Sequence, residues 1–103
     1  MINDMHDGTI AQGDTWLKNK LSALATWCIT HNSIFVVYFD EDNGAHNNHI
    51  PVIAVGQHVQ ANRQLSTRYD HYNWTRTICS MFYASNAWTS NLSSRSDITG
   101  CWY

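Results

Sequence analysis

Three acids, Asp40, Glu41 and Asp42, follow the apolar run Ile34 to Phe39 without a break. Adjacent carboxylates repel one another unless water or a cation balances them. Carboxylate oxygens suit a hard divalent cation, and ligands of α/β sheets gather beyond the carboxyl ends of strands. Two readings follow: a metal-holding strand end, or a solvated turn of the kind that Asn43 and Gly44 favour. Asp4 and His6 are a second candidate pair. They stand two apart, so extended backbone would turn them to the same side, where they could share a cation or hold a phosphate. The alternative for them is a frayed terminus. His71 is the third candidate. It stands at the start of a helix, from which an imidazole can bind a metal or carry a proton near neutral pH. His46 and His49 lie in the polar loop behind the acids, and His31 and His58 have less context.

The elements that must position these groups are legible as patterns. "GDTWLKNKLSALATWCITHN" reads as a helix, with Asp14 as N-cap and Gly13 as the break before it. Leu17, Leu21, Leu24 and Cys28 fall on one helical face, widened by Trp27. "HNS", His31 to Ser33, closes that helix. Ile34 to Phe39 reads as a strand, apolar on both faces and so expected between helix layers. His49 to Gly56 reads as another strand, with Pro51 near its start, where a missing amide costs least. "DHYNWTRTICSMFY" reads as a second helix, capped by Asp70, with Trp74, Ile78, Met81 and Phe82 on its core face. The end, "SNAWTSNLSSRSDITGCWY", is polar and patternless, yet Trp88 and Trp102 imply that it folds back over a surface.

Composition sets the outer limits. The 103 residues carry a formal charge of -2, and the six basic residues are scattered. Nucleic-acid binding would call for a basic face, so it is not expected. No apolar run approaches the length of a transmembrane helix. The opening "MINDMHDG" is too polar for a signal peptide. "NWT" at Asn73 and "NLS" at Asn91 are glycosylation acceptor triplets. Cys28, Cys79 and Cys101 are an odd set that leaves at least one thiol unpaired, with Cys79–Cys101 one candidate bridge. Two countable strands make a marginal sheet. Their apolar character, and the abrupt polar start, fit a piece of a larger α/β domain.

Four blocks in order carry a family resemblance: "NDMHDGTIAQGDTWLKNKLSALATW", "NSIFVVYFDEDNG", "IPVIAVGQHV" and "YDHYNWTRTICSMF". Together, from residue 3 to about 82, they resemble the C-terminal part of the phosphoesterase family, which contains secreted acid phosphatases and bacterial phospholipases C. Residues 83–103 match loosely. The resemblance implies an α/β fold of the alkaline phosphatase superfamily. For this chain it implies part of such a sandwich, with helices flanking a small, mostly parallel sheet and an irregular C-terminal tail.

The resemblance also assigns roles. Asp40 and Glu41 match the family's metal-binding pair. Asp4 and His6 match its "NDMHD" block near the metal and phosphate, Asp4 as a further ligand and His6 as a candidate acid. His71 matches the "HY" pair, a second candidate for the acid. The expected cofactor is a divalent ion: calcium, magnesium, manganese, iron or zinc. The expected substrate is a small phosphate ester or a phospholipid headgroup, and the expected location of the parent protein is outside the cell. In the implied mechanism a metal-activated hydroxyl attacks phosphorus, and water later frees the phosphoenzyme. The family's usual "HYS" reads "HYN" here. Its early Glu-Asn pair and nucleophilic Ser or Thr have no counterpart, and nothing marks Thr9, Thr15, Ser33 or Thr67 as activated. The expectation is a metal-dependent phosphoric ester hydrolase at family level, with half the site in this chain. The alternative is a catalytically inactive remnant acting as a structural or binding protein.

Overall fold

The computed structural model describes residues 2–84 and 89–103. The chain divides into two compact units, Met1–Ala61 and Asn62–Tyr103.

Among the described residues, the first unit contains one helix and one hairpin-like sheet. Helix α1 spans Ile10–Cys28. It begins before the Asp14 cap expected from the sequence, because Thr9 and Gln12 form a capping box. The Thr9 hydroxyl accepts the Gln12 N–H at 3.2 Å, and the Gln12 side chain accepts the Thr9 N–H at 2.8 Å. Two orphan donors of the first turn are thereby satisfied. Gly13 is consequently inside the helix and buried. Leu17 and Leu21 are half-buried and Cys28 is buried, as the helical spacing requires, whereas Leu24 and Trp27 remain exposed. The Trp27 ring stacks on His31 with centroids 4.2 Å apart.

Strand β1 spans Ile34–Tyr38 and strand β2 Val52–Gly56. They pair antiparallel, with Ile34 opposite Gly56 and Tyr38 opposite Val52. This corrects the expected mostly parallel sheet, and with it the sandwich built around it. Parallel neighbours need a crossover, usually a helix, to return the chain to the same end. Here residues 39–51 contain no helix, and they simply turn the chain back alongside β1. Phe35 and Val37 of β1 and Ile53 of β2 line a groove with Leu17, Leu21 and Ala25 of α1. Gly56 is needed at its register position, since a Cβ there would fall 2.9 Å from the Ile34 Cα. Behind it, the Gln57 N–H reaches the Cys28 carbonyl at 3.0 Å, and the Gln57 side chain accepts the Asn32 N–H at 2.6 Å. These bonds tie the end of α1 to the end of β2.

The second unit is built on helix α2, His71–Met81, with a short helix α3, Ser90–Ser93. Asp70 caps α2 as expected. Its carboxylate accepts the Asn73 N–H at 3.0 Å, and the Asn73 side chain accepts the Asp70 N–H at 2.9 Å. The buried face is not the apolar one read from the sequence. Asn73 and Thr77 are buried, while Ile78, Met81 and Phe82 are exposed. The reason is the tail, which lies along the polar face and answers its donors and acceptors. Asn73 donates to the Ser96 carbonyl at 2.8 Å, and the Thr77 hydroxyl accepts the Ile98 N–H at 2.9 Å. Asp97 receives Arg76 at 3.1 Å and the Ser80 hydroxyl at 2.9 Å. Trp102 donates its ring N–H to the Ile98 carbonyl. The tail therefore does fold back; Trp88 lies outside the described residues. All three cysteines are free thiols, so the candidate bridge between Cys79 and Cys101 is absent. Among the described residues, no helix is long and apolar enough to cross a membrane.

Candidate functional site

The acidic turn begins where β1 ends. Phe39 is half-buried, and Asp40 and Glu41 beyond it are exposed. The Asp40 carboxylate accepts the Glu41 N–H at 3.0 Å. Asp42 has a different task. Its two oxygens accept the N–H groups of Gly44 at 2.6 Å, His46 at 2.8 Å and Asn48 at 2.9 Å. The Asn48 side chain returns the bond by accepting the Asp42 N–H at 2.8 Å. The Gly44 amide is the main reason that the Asp42 carboxyl is held below its ordinary range; the His46 and Asn48 amides add to it and together outweigh partial burial. A carboxylate that accepts several backbone N–H bonds is favoured in its charged form. So the knot of three acids separates into an exposed pair and a third member that shapes the loop.

The N-terminal turn is also ordered by its acid. Asp4 Oδ1 accepts the N–H groups of His6 and Asp7, both at 3.1 Å. The His6 amide is the leading cause that lowers the Asp4 carboxyl below its usual range. Met5 between them has φ of 64°, so the turn is not extended chain. The two-residue alternation that would align Asp4 with His6 does not apply. His6 is exposed. Met5 packs against Gly13 of α1, where a Cβ would fall 2.6 Å from the Met5 Cε. The signals for these arrangements were present in the sequence as a Thr-x-x-Gln capping box at Thr9 and a glycine within helical periodicity.

His71 is the first residue of α2, in the second unit, and is exposed. Asp70 before it is committed to the helix cap and to Arg95, whose Nε lies 2.8 Å away. Burial pushes the Asp70 carboxyl up, but the Asn73 amide and the Arg95 guanidinium outweigh it, so the net shift is downward. His31 and His58 serve the first unit's turns, His58 contacting the Asn32 side chain at 2.7 Å.

Among the described residues, no three His, Cys, Asp or Glu side chains converge where a metal ion could sit. Asp40 and Glu41 are oxygen donors of the right kind. Two carboxylates are nevertheless short of the roughly six to eight oxygens that calcium takes, or the near-octahedral shell of magnesium. The described residues by themselves do not fit a complete divalent-metal centre. A separate open groove along α1 is lined by Asn3, Gln12, Thr15, Trp16, Asn19 and Lys20; none of the candidate ligands borders it.

Comparison with known proteins bears on all of these residues together. The phosphoesterase family matches residues 1–84. The phosphatidylinositol-3-phosphatase of Mycobacterium tuberculosis (strain ATCC 25618 / H37Rv) is 46% identical over 91 residues, covering 82% of this chain and 30% of that protein. The chain thus spans less than a third of the length of the curated relative it matches. No solved structure matches. The matched region holds the N-terminal turn, α1, the acidic turn, β2 and α2, and the chain belongs to the phosphoesterase family.

Proposed function

We propose that these 103 residues are a non-catalytic part of a phosphoester-hydrolysing architecture, carrying ligand-bearing turns without a complete reaction centre. The supporting observation is the arrangement of the acids. Asp40 and Glu41 stand exposed as a pair, Asp42 is committed to its loop, and among the described residues no third ligand converges on them. Within a longer phosphoesterase, Asp40, Glu41 and Asp4 would contribute oxygen donors to a divalent cation. His6 and His71 would be the imidazoles available to protonate a leaving oxygen. The substrate of such a protein would be a phosphate monoester, and the name of the mycobacterial relative favours one borne on a lipid headgroup.

The test is turnover of a chromogenic phosphate monoester by the purified chain, with calcium, magnesium, manganese, iron or zinc added in turn. The expected result is no hydrolysis above buffer. Reproducible metal-dependent turnover that disappears in Asp40→Asn would overturn the proposal.

A further inference from the structure

Asn43–Gly44 is the one Asn–Gly step in the sequence. In such a step the glycine nitrogen can attack the asparagine side chain, because no Cβ on the glycine hinders the approach. Both residues are exposed. Gly44 has φ of 80°, and nothing lies within 4 Å of the place where its Cβ would stand. The Ala45 N–H donates to the Asn43 side-chain oxygen at 3.2 Å. A donor there favours the negative charge that gathers on this oxygen when Cγ is attacked. One contact opposes the reaction. The Gly44 N–H donates to Asp42 Oδ1 at 2.6 Å. The attacking nitrogen must give up that proton, and a carboxylate beside it disfavours a second negative charge. Other candidate steps are arranged differently. Asn32, before Ser33, has its side chain on His58 at 2.7 Å and its own N–H on Gln57 at 2.6 Å. At Asp7–Gly8 the glycine is closed against the Ile2 carbonyl.

We propose that Asn43 is a site of intramolecular deamidation, and that the Asp42 carboxylate restrains the reaction in the folded chain. The Gly44 nitrogen loses its proton and bonds to the Asn43 Cγ. The Cγ–Nδ2 bond breaks, and the side-chain nitrogen takes up a proton and leaves as ammonia. One water then opens the resulting five-membered imide at either carbonyl, giving aspartate or isoaspartate. No oxidant, metal or second protein enters the balance. Either product adds a carboxylate directly after Asp40, Glu41 and Asp42. The isoaspartate also lengthens the main chain by one carbon inside the span that Asp42 bridges to Gly44, His46 and Asn48. The reaction would thus change both the charge and the shape of the acidic turn, whether or not the chain is catalytic.

The experiment is incubation of the full chain at neutral pH, followed by digestion and peptide mass spectrometry with fragmentation that separates aspartate from isoaspartate. The expected result is conversion at Asn43 ahead of every other asparagine, and none at that position in Asn43→Gln. Wild type in denaturant should convert roughly tenfold faster than wild type folded, since opening the loop frees the Gly44 N–H. Asp42→Ala should bring the folded rate close to the denatured one while leaving the denatured rate unchanged. Asn48→Ala keeps the carboxylate on Gly44 but removes the side-chain bond to the Asp42 N–H, and should have the smaller effect. Circular dichroism of α1 checks that each variant is folded. No conversion at Asn43 in the folded chain would overturn the site. An Asp42→Ala chain that converts no faster than wild type would overturn the restraint, as would Asn48→Ala matching it. Phosphatase activity is not measured, so the outcome is separate from that of the turnover test.

Discussion

Asp42 and Asn48 hold one another across the acidic loop. The Asn48 side-chain carbonyl accepts the Asp42 N–H at 2.8 Å, and the Asp42 carboxylate accepts the Asn48 N–H at 2.9 Å. With the Gly44 and His46 amides on the same carboxylate, both oxygens of Asp42 are engaged. Replacing Asp42 with Asn turns one oxygen into a donor that faces another donor. Asp42→Asn should therefore speed amide exchange at Gly44, His46 or Asn48 while leaving α1 untouched, as followed by exchange-resolved NMR.

The same carboxylate predicts an acid response. Asp42, Asp4 and Asp70 all have their carboxyls lowered in the folded chain. A lowered carboxyl contributes stability that is fully present above its unfolded value of about 3.9 and is lost as pH falls through the lower folded value. The 42–48 loop should keep its amide protection at pH 5 and lose it progressively below about pH 4. An NMR titration of the Gly44 amide measures this; protection that falls between pH 8 and pH 5 would contradict it.

Gly13 predicts an inversion of helix propensity. Alanine in a helix interior is normally favoured over glycine by about 1 kcal/mol. At Gly13 the added methyl meets Met5, and overpacking of that kind costs about 1–3 kcal/mol. Gly13→Ala should be destabilising in urea denaturation. Met5→Ala combined with Gly13→Ala should recover most of the loss. Equal stability of wild type and Gly13→Ala would show that the Met5 contact is dispensable.

The tail gives a fourth prediction. Asp97 receives both Arg76 and Ser80, and the ion pair is partly buried. Asp97→Ala leaves two donors without their acceptor, at a cost of about 1–3 kcal/mol. Limited proteolysis should then cleave the chain within residues 94–101 faster than in the wild type. Unchanged cleavage would mean that the remaining ties, Asn73 to Ser96, Thr77 to Ile98 and Asp70 to Arg95, retain the tail without Asp97.

Local chemistry was the part of this structure legible in the sequence. The Asp70 cap, the helical periodicity of Leu17, Leu21 and Cys28, and the β-branched run from Ile34 all act over a few residues, and all lie where the patterns place them. Sheet direction was not legible, because residues 39–51 are long enough for either a return or a crossover. The start of α1 was missed because Asp14 is a good cap in isolation, while Thr9 and Gln12 cap reciprocally. The buried face of α2 was misread because apolar spacing assumes an apolar neighbour, and the tail instead supplies hydrogen bonds to Asn73 and Thr77. Of the candidate ligands, Asp40 and Glu41 are displayed at the strand end as their position suggests, whereas the left-handed Met5 removes the simple alignment of Asp4 with His6.

The reciprocal cap at Asn73 also bears on modification. Its amide nitrogen faces the Ser96 carbonyl and its oxygen faces the Asp70 N–H, in a setting only 6% exposed. An oligosaccharyltransferase must reach that nitrogen with free access. At the "NWT" triplet, sugar transfer would therefore have to compete with closure of the second unit for one side chain. Asn91, which is exposed on α3, faces no such choice.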